Sequence, residues 1–226
     1  MKITHFFILN DQTSSPFSGA ENHLWELLMG SSKHNDVELL VCINQTGNVI
    51  KNRLEELRNH GVKTSIIDRK KYKFSSVGYL RIFQECLLYY FEFRKRRDRI
   101  LHLHLNTNTI PITAILAGHP NIFFTFHNDE PSFKKKLNKN LLKKMLFWFR
   151  HTIAITSHVK NYLVNEIGLP EDKISVVRYG INPPTSKNIE DLNLPKLPGK
   201  IKMCFIGRLT EQKNLFFFFY CLKEKE

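Results

Sequence analysis

The sequence predicts an α/β fold built on a doubly wound parallel sheet. Short apolar runs of strand length alternate with longer segments of helical periodicity along most of the 226 residues, and such alternation is typical of parallel sheets with helices on both faces. Hydrophobic residues make up 42% of the chain, which allows a sizeable core. Ligands bind such folds at the carboxyl ends of the strands, so we expect the functional residues in the loops that follow them.

Each element follows from its own pattern. The runs that predict strands are residues 3–9, 37–43, 62–67, 100–105, 121–126, 152–156 and 174–178. The segments that predict helices are residues 19–29, 49–59, 79–96, 109–117, 133–149 and 158–167. Ser18 precedes the first helix and is a candidate N-cap, because a serine hydroxyl accepts a hydrogen bond from the first helical N–H groups.

A linker divides the chain. The segment 182–199 holds Pro183, Pro184, Pro195 and Pro198 and shows little periodicity, which is typical of an interdomain connection. We therefore expect a Rossmann-like domain over residues 1–182, a linker over 183–200, and the start of a second, incomplete Rossmann-like domain over 201–226.

The net charge and the cysteines limit the kinds of partner and the compartment that are expected. The net charge of +13 favours an anionic partner, which is a phosphorylated ligand, an acidic membrane surface or nucleic acid. The four cysteines are scattered without a CxxC pair, which favours free thiols in a reducing compartment. Neither a signal peptide nor a run of about 20 apolar residues is evident, so we expect a cytoplasmic protein, peripheral at most on a membrane.

The most informative segment follows the linker. An apolar run, 202–206, leads into Gly207 and Arg208, and Lys213 opens an apolar helical segment. A glycine lets a ligand approach the backbone, and the two cations can converge on one anion beside a helix N-terminus. This arrangement favours diphosphate binding, although a solvated basic loop is the plainer alternative in so positive a chain.

Five places together resemble a known family. They are Phe17-Ser18-Gly19-Ala20-Glu21-Asn22, His102-Leu103-His104, Phe124-Thr125-Phe126-His127-Asn128, the segment from Thr156-Ser157-His158 through Gly168-Leu169-Pro170 and Lys173-Ile174-Ser175-Val176-Val177 to Tyr179-Gly180-Ile181-Asn182, and Gly207-Arg208-Leu209 with Lys213. In this order and spacing they resemble the retaining GT-B glycosyltransferases of family 4, also called group 1. The departures are Ser18 for a glycine, Tyr179 and Asn182 in the closing segment, and Asn214 where glycine is frequent.

The resemblance implies an activity. It implies transfer of a hexose from a UDP- or GDP-linked sugar to a glycan or lipid-linked acceptor, in surface polysaccharide or lipopolysaccharide synthesis. Residues 1–182 would be the acceptor-side domain, and 201–226 would begin the nucleotide-sugar domain. The paired glutamates of the family have no counterpart up to residue 226, so we expect this chain to be inactive by itself. No Asp-x-Asp motif marks a metal site, and we expect no metal requirement.

The resemblance also implies residue roles. Gly19, Gly207, Arg208 and Lys213 would contact the donor diphosphate, although Gly19 also suits an ordinary helix start. His127 would be the catalytic contact to the transferred sugar, because an imidazole hydrogen-bonds a hydroxyl near neutral pH; a loop histidine without a role is the alternative.

Four further residues are candidate acceptor contacts. They are His104, Asn128, Asp129 and Glu130. We expect His102 and His104 to face opposite sides of the sheet, so that at most one of them lines the crevice, and packing is the alternative role for each. The donor phosphate, rather than Asp129 or Glu130, would take the acceptor proton.

The segment 133–149 is basic and amphipathic. Leu137, Leu141, Met145 and Trp148 fall on one helical stripe. The lysines beside it are Lys134, Lys135, Lys136, Lys143 and Lys144. This pattern suits an anionic membrane interface, and packing of the stripe against the sheet is the alternative. A non-catalytic basic module that binds anionic lipid or nucleic acid is the rival function, although no nucleic-acid-binding signature stands out and no such partner is expected.

Overall fold

The computed structural model of the chain describes residues 1–9, 19–43, 48–72, 74, 76–104, 109–127, 136–180 and 220. The chain divides into two units, 1–182 and 183–226, and apart from Tyr220 the second lies outside the described residues. The predicted segment 201–206, the linker and the loop with Gly207, Arg208 and Lys213 therefore lie outside them too.

Seven strands form one parallel sheet. They are β1 (Lys2–Leu9), β2 (Asp36–Ile43), β3 (Lys63–Asp68), β4 (Ile100–His104), β5 (Ile122–Phe126), β6 (His151–Ala154) and β7 (Ile174–Val176). Their order across the sheet is β3-β2-β1-β4-β5-β6-β7, and every described pairing is parallel. The order reverses between β1 and β4, where doubly wound folds open a ligand crevice.

Six helices connect the strands. They are α1 (Gly19–Ser32), α2 (Asn48–Asn59), α3 (Gly78–Arg94), α4 (Thr109–Leu116), α5 (Lys136–Phe147) and α6 (Ser157–Tyr162). A π-helical turn, Leu163–Ile167, extends α6 and ends at Gly168, whose φ of 77° is left-handed and suits a glycine helix cap. The α/β fold with helices on both faces of a parallel sheet is thus confirmed.

Two hydrophobic cores cover the two faces of the sheet. One packs α1 and α2 against β1 and β2, with Leu24, Trp25 and Leu54 fully buried. The other packs α3, α4, α5 and α6 against the opposite face, with Phe93 and Leu146 at its centre. This arrangement follows from right-handed crossovers on either side of β1.

The residues of the predicted stripe on α5 divide between core and surface. The described buried face of the helix is formed by Leu142, Met145 and Leu146, continued by Phe149, at the i, i+3, i+4, i+7 spacing of a core-facing stripe. Met145 therefore packs in the core, whereas Leu141 and Trp148, beside it on the helix, are 40% and 74% exposed. The side chain of Leu137 lies outside the described residues, and the membrane interpretation of the stripe stays a prediction.

Candidate functional site

Three aromatic side chains meet at the carboxyl edge of the sheet. His127 directly follows β5, His23 lies in the first half of α1, and Tyr179 follows β7. The hydroxyl of Tyr179 is hydrogen-bonded to Nδ1 of His127. The rings of His23 and Tyr179 stack with centroids 3.8 Å apart and 22° between their planes, and the centroids of His23 and His127 are 6.4 Å apart. Helix α1 and the segments that follow β5 and β7 are thereby held together at one point.

The surroundings keep this group uncharged at neutral pH. Burial, with the charge of His23 as a second cause, lowers the pKa of His127 to about 4. Burial also raises the pKa of Tyr179 to about 12 and lowers the pKa of His23. A neutral imidazole has one N–H and one acceptor nitrogen. When the Tyr179 hydroxyl donates to Nδ1, the ring hydrogen lies on Nε2.

The second nitrogen of His127 is available for a ligand. Among the residues that the structure describes, Nε2 of His127 is buried and has no hydrogen-bond partner. Buried polar atoms are rarely left unpaired, because desolvation costs free energy that a partner otherwise offsets. An oxygen atom of a ligand is a chemically suitable partner for this nitrogen.

Three further histidines continue inward from His127. His5 lies on β1, and His102 and His104 lie on β4. His104 is 5.7 Å from His127 between ring centroids and 4.0 Å from His102. Nδ1 of His5 is 3.0 Å from Nε2 of His104, and Nε2 of His102 is 2.7 Å from the hydroxyl oxygen of Thr125.

The expectation that His102 and His104 face opposite sides of the sheet was wrong. Residues two apart in a strand project from the same face, since the side-chain period is 2. Leu101 and Leu103 point into the core under α3–α6. His102 and His104 therefore lie together on the face that α1 packs against, and both belong to the histidine row.

Gly19 begins α1 and is exposed. A Cβ built on it meets no described atom within 4 Å, and its φ is not left-handed. The fold therefore gives no reason of its own for glycine at this position, and the expected contact to the donor stays a prediction.

Several predicted site residues lie outside the described part of the chain. These are Asn128, Asp129, Glu130, Lys134, Lys135, Gly207, Arg208 and Lys213, together with the side chain of Lys136. Lys143 and Lys144 are described and are exposed on α5, as a surface role requires.

Sequence reasoning missed His5 and His23 and treated Tyr179 only as a departure from a motif. A signal for His5 was present: central strands of parallel sheets are near-continuous apolar runs, and a histidine in the middle of such a run is unusual. No comparable local signal marked His23, because its role depends on the stacking with Tyr179, which is 156 residues away in the sequence.

Comparisons with known proteins give the following matches. The profile of Glycosyltransferase Family 4 matches residues 17–184, which is more than half of the chain. No curated protein matches. The fold is similar to Alr3699/HepE from Anabaena in complex with UDP, with a TM-score of 0.52, 15% identity, and coverage of 80% of this chain and 45% of that chain.

Two further solved structures are similar in fold. The same Anabaena protein with UDP and glucose gives a TM-score of 0.51 at 17% identity, with coverage of 80% of this chain and 45% of that chain. A glycosyltransferase from Rickettsia africae ESF-5 gives 0.50 at 18% identity, with coverage of 80% and 43%. The chain thus spans less than half the length of these structures.

Proposed function

The chain belongs to Glycosyltransferase Family 4, and on this premise we propose that it takes part in hexose transfer. The donor is a nucleoside-diphosphate sugar, UDP- or GDP-linked, and the acceptor is a glycan or a lipid-linked sugar. Support for the donor class comes from Alr3699/HepE, which binds UDP and UDP-glucose. The proposed setting is the synthesis of surface polysaccharide or lipopolysaccharide.

The observation that carries the proposal is the position of His127. It lies at the carboxyl end of β5, with one nitrogen held by Tyr179 and the other buried without a described partner. A ring fixed in this way presents an N–H to a sugar hydroxyl with little loss of freedom on binding. Because its pKa is about 4, it acts at neutral pH as a hydrogen-bond donor rather than as an acid.

In the proposed step the acceptor hydroxyl oxygen forms a bond to the anomeric carbon of the donor sugar. The bond from that carbon to the diphosphate oxygen breaks, and the diphosphate leaves with the electron pair. A phosphate oxygen of the donor takes the hydroxyl proton, and the anomeric configuration is retained. The protein positions the groups and stabilises the charge on the leaving diphosphate, with no metal assigned to that diphosphate.

The residues divide between acceptor and donor. His104, Asn128, Asp129 and Glu130 are the proposed acceptor contacts. Gly19, Gly207, Arg208 and Lys213 are the proposed donor-diphosphate contacts, through backbone N–H groups and two cations.

We also propose that the protein works at an anionic membrane surface, peripherally on the inner face of the plasma membrane. On α3, Tyr79, Phe83 and Phe91 are 83%, 59% and 58% exposed. On α5, Phe147 and Trp148 are 64% and 74% exposed beside Lys143 and Lys144. Aromatic side chains flanked by lysines are suited to a headgroup region.

Both helices pack against α4 on the same face of the sheet, so these side chains share one side of the domain. None of the described helices is long and apolar enough to cross a membrane. Sedimentation with anionic and with neutral vesicles tests the surface, and equal binding to both would contradict it.

The function is tested by titrating the chain separately with UDP-glucose, GDP-mannose and a short RNA, with the heat of binding measured by calorimetry. We expect binding of one nucleotide sugar, lost in Arg208→Ala with Lys213→Ala and retained in the control Lys51→Ala, which removes an exposed lysine of α2. The rival function, a basic binding module, predicts salt-sensitive RNA binding without any effect of nucleotide sugars, and that result would overturn the proposal.

A further inference from the structure

We propose that His5, His102 and His104 form a binding site for one divalent transition-metal ion, of which Zn²⁺ is the best match. Each of the three rings offers one nitrogen, and these nitrogens lie within 4.8 Å of one another. The proposal does not depend on the glycosyltransferase function, because it follows from the positions of the ligands alone.

The sheet itself brings the three rings together. His5 and His102 are register partners on the adjacent strands β1 and β4, and His104 is two residues further along the same face. These two strands flank the point where the strand order reverses. The site therefore rests on two adjacent strands of the sheet rather than on loops.

The spacing suits a metal ion. Zn–N bonds of about 2.0–2.1 Å in tetrahedral geometry place neighbouring ligand nitrogens roughly 3.3 Å apart. The measured separation between Nδ1 of His5 and Nε2 of His104 is 3.0 Å. Coordination through these two nitrogens replaces the hydrogen bond between them.

The hydrogen bonds of the cluster leave two buried ring nitrogens unpaired. Among the described residues, Nε2 of His5 and Nδ1 of His104 are buried without a hydrogen-bond partner. A neutral histidine carries one ring hydrogen. In either tautomer of the His5–His104 contact, one of these two buried nitrogens keeps a free lone pair. The hydrogen-bonded arrangement therefore leaves a buried lone pair unmatched. Coordination through the two facing nitrogens removes that lone pair, because each ring then carries its hydrogen on the outer nitrogen.

A hydroxyl also orients the third ring. Oγ1 of Thr125, on β5, lies 2.7 Å from Nε2 of His102. When Thr125 accepts the hydrogen of Nε2, the lone pair of His102 lies on Nδ1. Metal-binding histidines regularly donate a hydrogen bond from the N–H of their second ring nitrogen to such a partner.

The protonation state supports metal binding at neutral pH. Burial lowers the pKa of His5 to about 4, and burial and the neighbouring histidines hold the pKa values of His102 and His104 well below the ordinary range. Each ring is therefore neutral at pH 7 and keeps one lone pair, so ligation requires a change of tautomer at most. Three protein ligands leave a fourth position for water or a ligand oxygen. The expectation of no metal requirement was based on the lack of an Asp-x-Asp motif. That motif supplies carboxylate ligands, so its lack does not bear on a site made of three histidines.

The test is a titration of protein produced without a polyhistidine tag, stripped with chelator, and then treated with Co²⁺. We expect about one equivalent to bind with the visible absorption of nitrogen and oxygen ligands, and Zn²⁺ to displace it. His102→Asn and His104→Asn should each weaken binding at least about tenfold. Exposed His34 and His158 provide the controls His34→Asn and His158→Asn, which should bind as the wild type does.

Variants of buried histidines can lose metal binding because they fail to fold. A second variant and a second measurement test the site without replacing any of the three histidines. Thr125→Val keeps all three ligands and should still weaken Co²⁺ binding about tenfold or more. In the wild type, ring ¹⁵N spectra should show Zn²⁺-induced shifts at His5, His102 and His104. Absence of a stoichiometric Co²⁺ spectrum, or equal loss in the His34 and His158 controls, would overturn the proposal.

Discussion

The sheet carries two polar clusters on opposite faces, and they differ in how fully their atoms are paired. At the amino end, Glu38 accepts hydrogen bonds from Arg96, Thr4 and Ser65 at 2.7–3.1 Å. Arg99 joins Thr4 and Asp36. On the other face, from the middle of β1 to the carboxyl edge, ring nitrogens of His5, His104 and His127 are buried with no partner among the described residues.

The difference separates a structural role from a binding role. A buried ion pair whose lone pairs and N–H groups are all matched has nothing left to offer a ligand. Burial by itself raises the pKa of Glu38, but the hydrogen bonds from Arg96, Ser65 and Thr4 together with the charge of Arg96 lower it. The carboxylate therefore stays charged at neutral pH. The histidine cluster keeps unmatched atoms, which is the condition expected where a ligand completes the site.

The largest effect is expected from breaking the amino-end network. Glu38→Ala leaves Arg96, whose side chain is 12% exposed, without its main partner, and should lower the free energy of unfolding by about 3–5 kcal/mol. Asp98→Ala is the control, because it removes an ion pair between two exposed side chains. Lys2 is 56% and Asp98 is 59% exposed. Denaturant melts check both, and similar losses in the two variants would show that the network is not structural.

The second effect is the response to acid. His5 has a pKa lowered from 6.5 to about 4, so the unfolded chain binds the proton first. Its contribution to stability is complete above 6.5 and is lost as the pH falls toward about 4, with a slope of about 1.4 kcal/mol per pH unit per histidine. Denaturant melts across this range should show the decline. His5→Asn should reduce its slope without abolishing it, because His102, His104 and His127 have lowered pKa values as well.

The amino-end cluster should respond in a different pH window. Hydrogen bonds, first from Arg99 and then from Lys63, lower the pKa of Asp36 from 3.8 to about 2. Its contribution is present above 3.8 and is lost only as the pH falls toward about 2. A single acid transition, unchanged in His5→Asn, would contradict this separation of the two clusters.

The third effect is smaller. Tyr179→Phe removes the hydroxyl that holds Nδ1 of His127 and should cost about 1 kcal/mol. It should also mix the ring tautomers of His127, which long-range ¹H–¹⁵N spectra resolve. Tyr79→Phe, at a side chain that is 83% exposed, is the control. An unchanged tautomer in Tyr179→Phe would mean that Tyr179 does not position His127.

The smallest effect on stability is expected at Gly19. Because an added Cβ meets no described atom within 4 Å, Gly19→Ala should leave the fold unchanged or stabilise it by less than about 1 kcal/mol. Binding of a nucleotide sugar should nevertheless weaken, since the added methyl group blocks approach to the backbone. Unchanged binding would assign Gly19 to an ordinary helix start.

The sequence predicted the fold well, because the alternation of short apolar runs and amphipathic segments is itself the cause of the parallel sheet. It also predicted that His127 follows a strand, which the structure confirms, while the role of this residue stays a prediction. It did not predict the union of His127, His23 and Tyr179, because three segments distant in sequence meet only after the strands are ordered. The core-facing residues Leu142, Leu146 and Phe149 of α5 were not identified, because the helical stripe was assigned from other residues, of which only Met145 is described as buried.

The most direct test is a map of chemical-shift changes on adding UDP-glucose to the full chain. If the carboxyl end is the binding region, changes should concentrate at His23, His127, Tyr179 and the start of α1, and spare Glu38, Arg96 and Arg99. Changes confined to the amino-end cluster, or spread over the exposed lysines and arginines without any at His127, would contradict the assignment of the two ends.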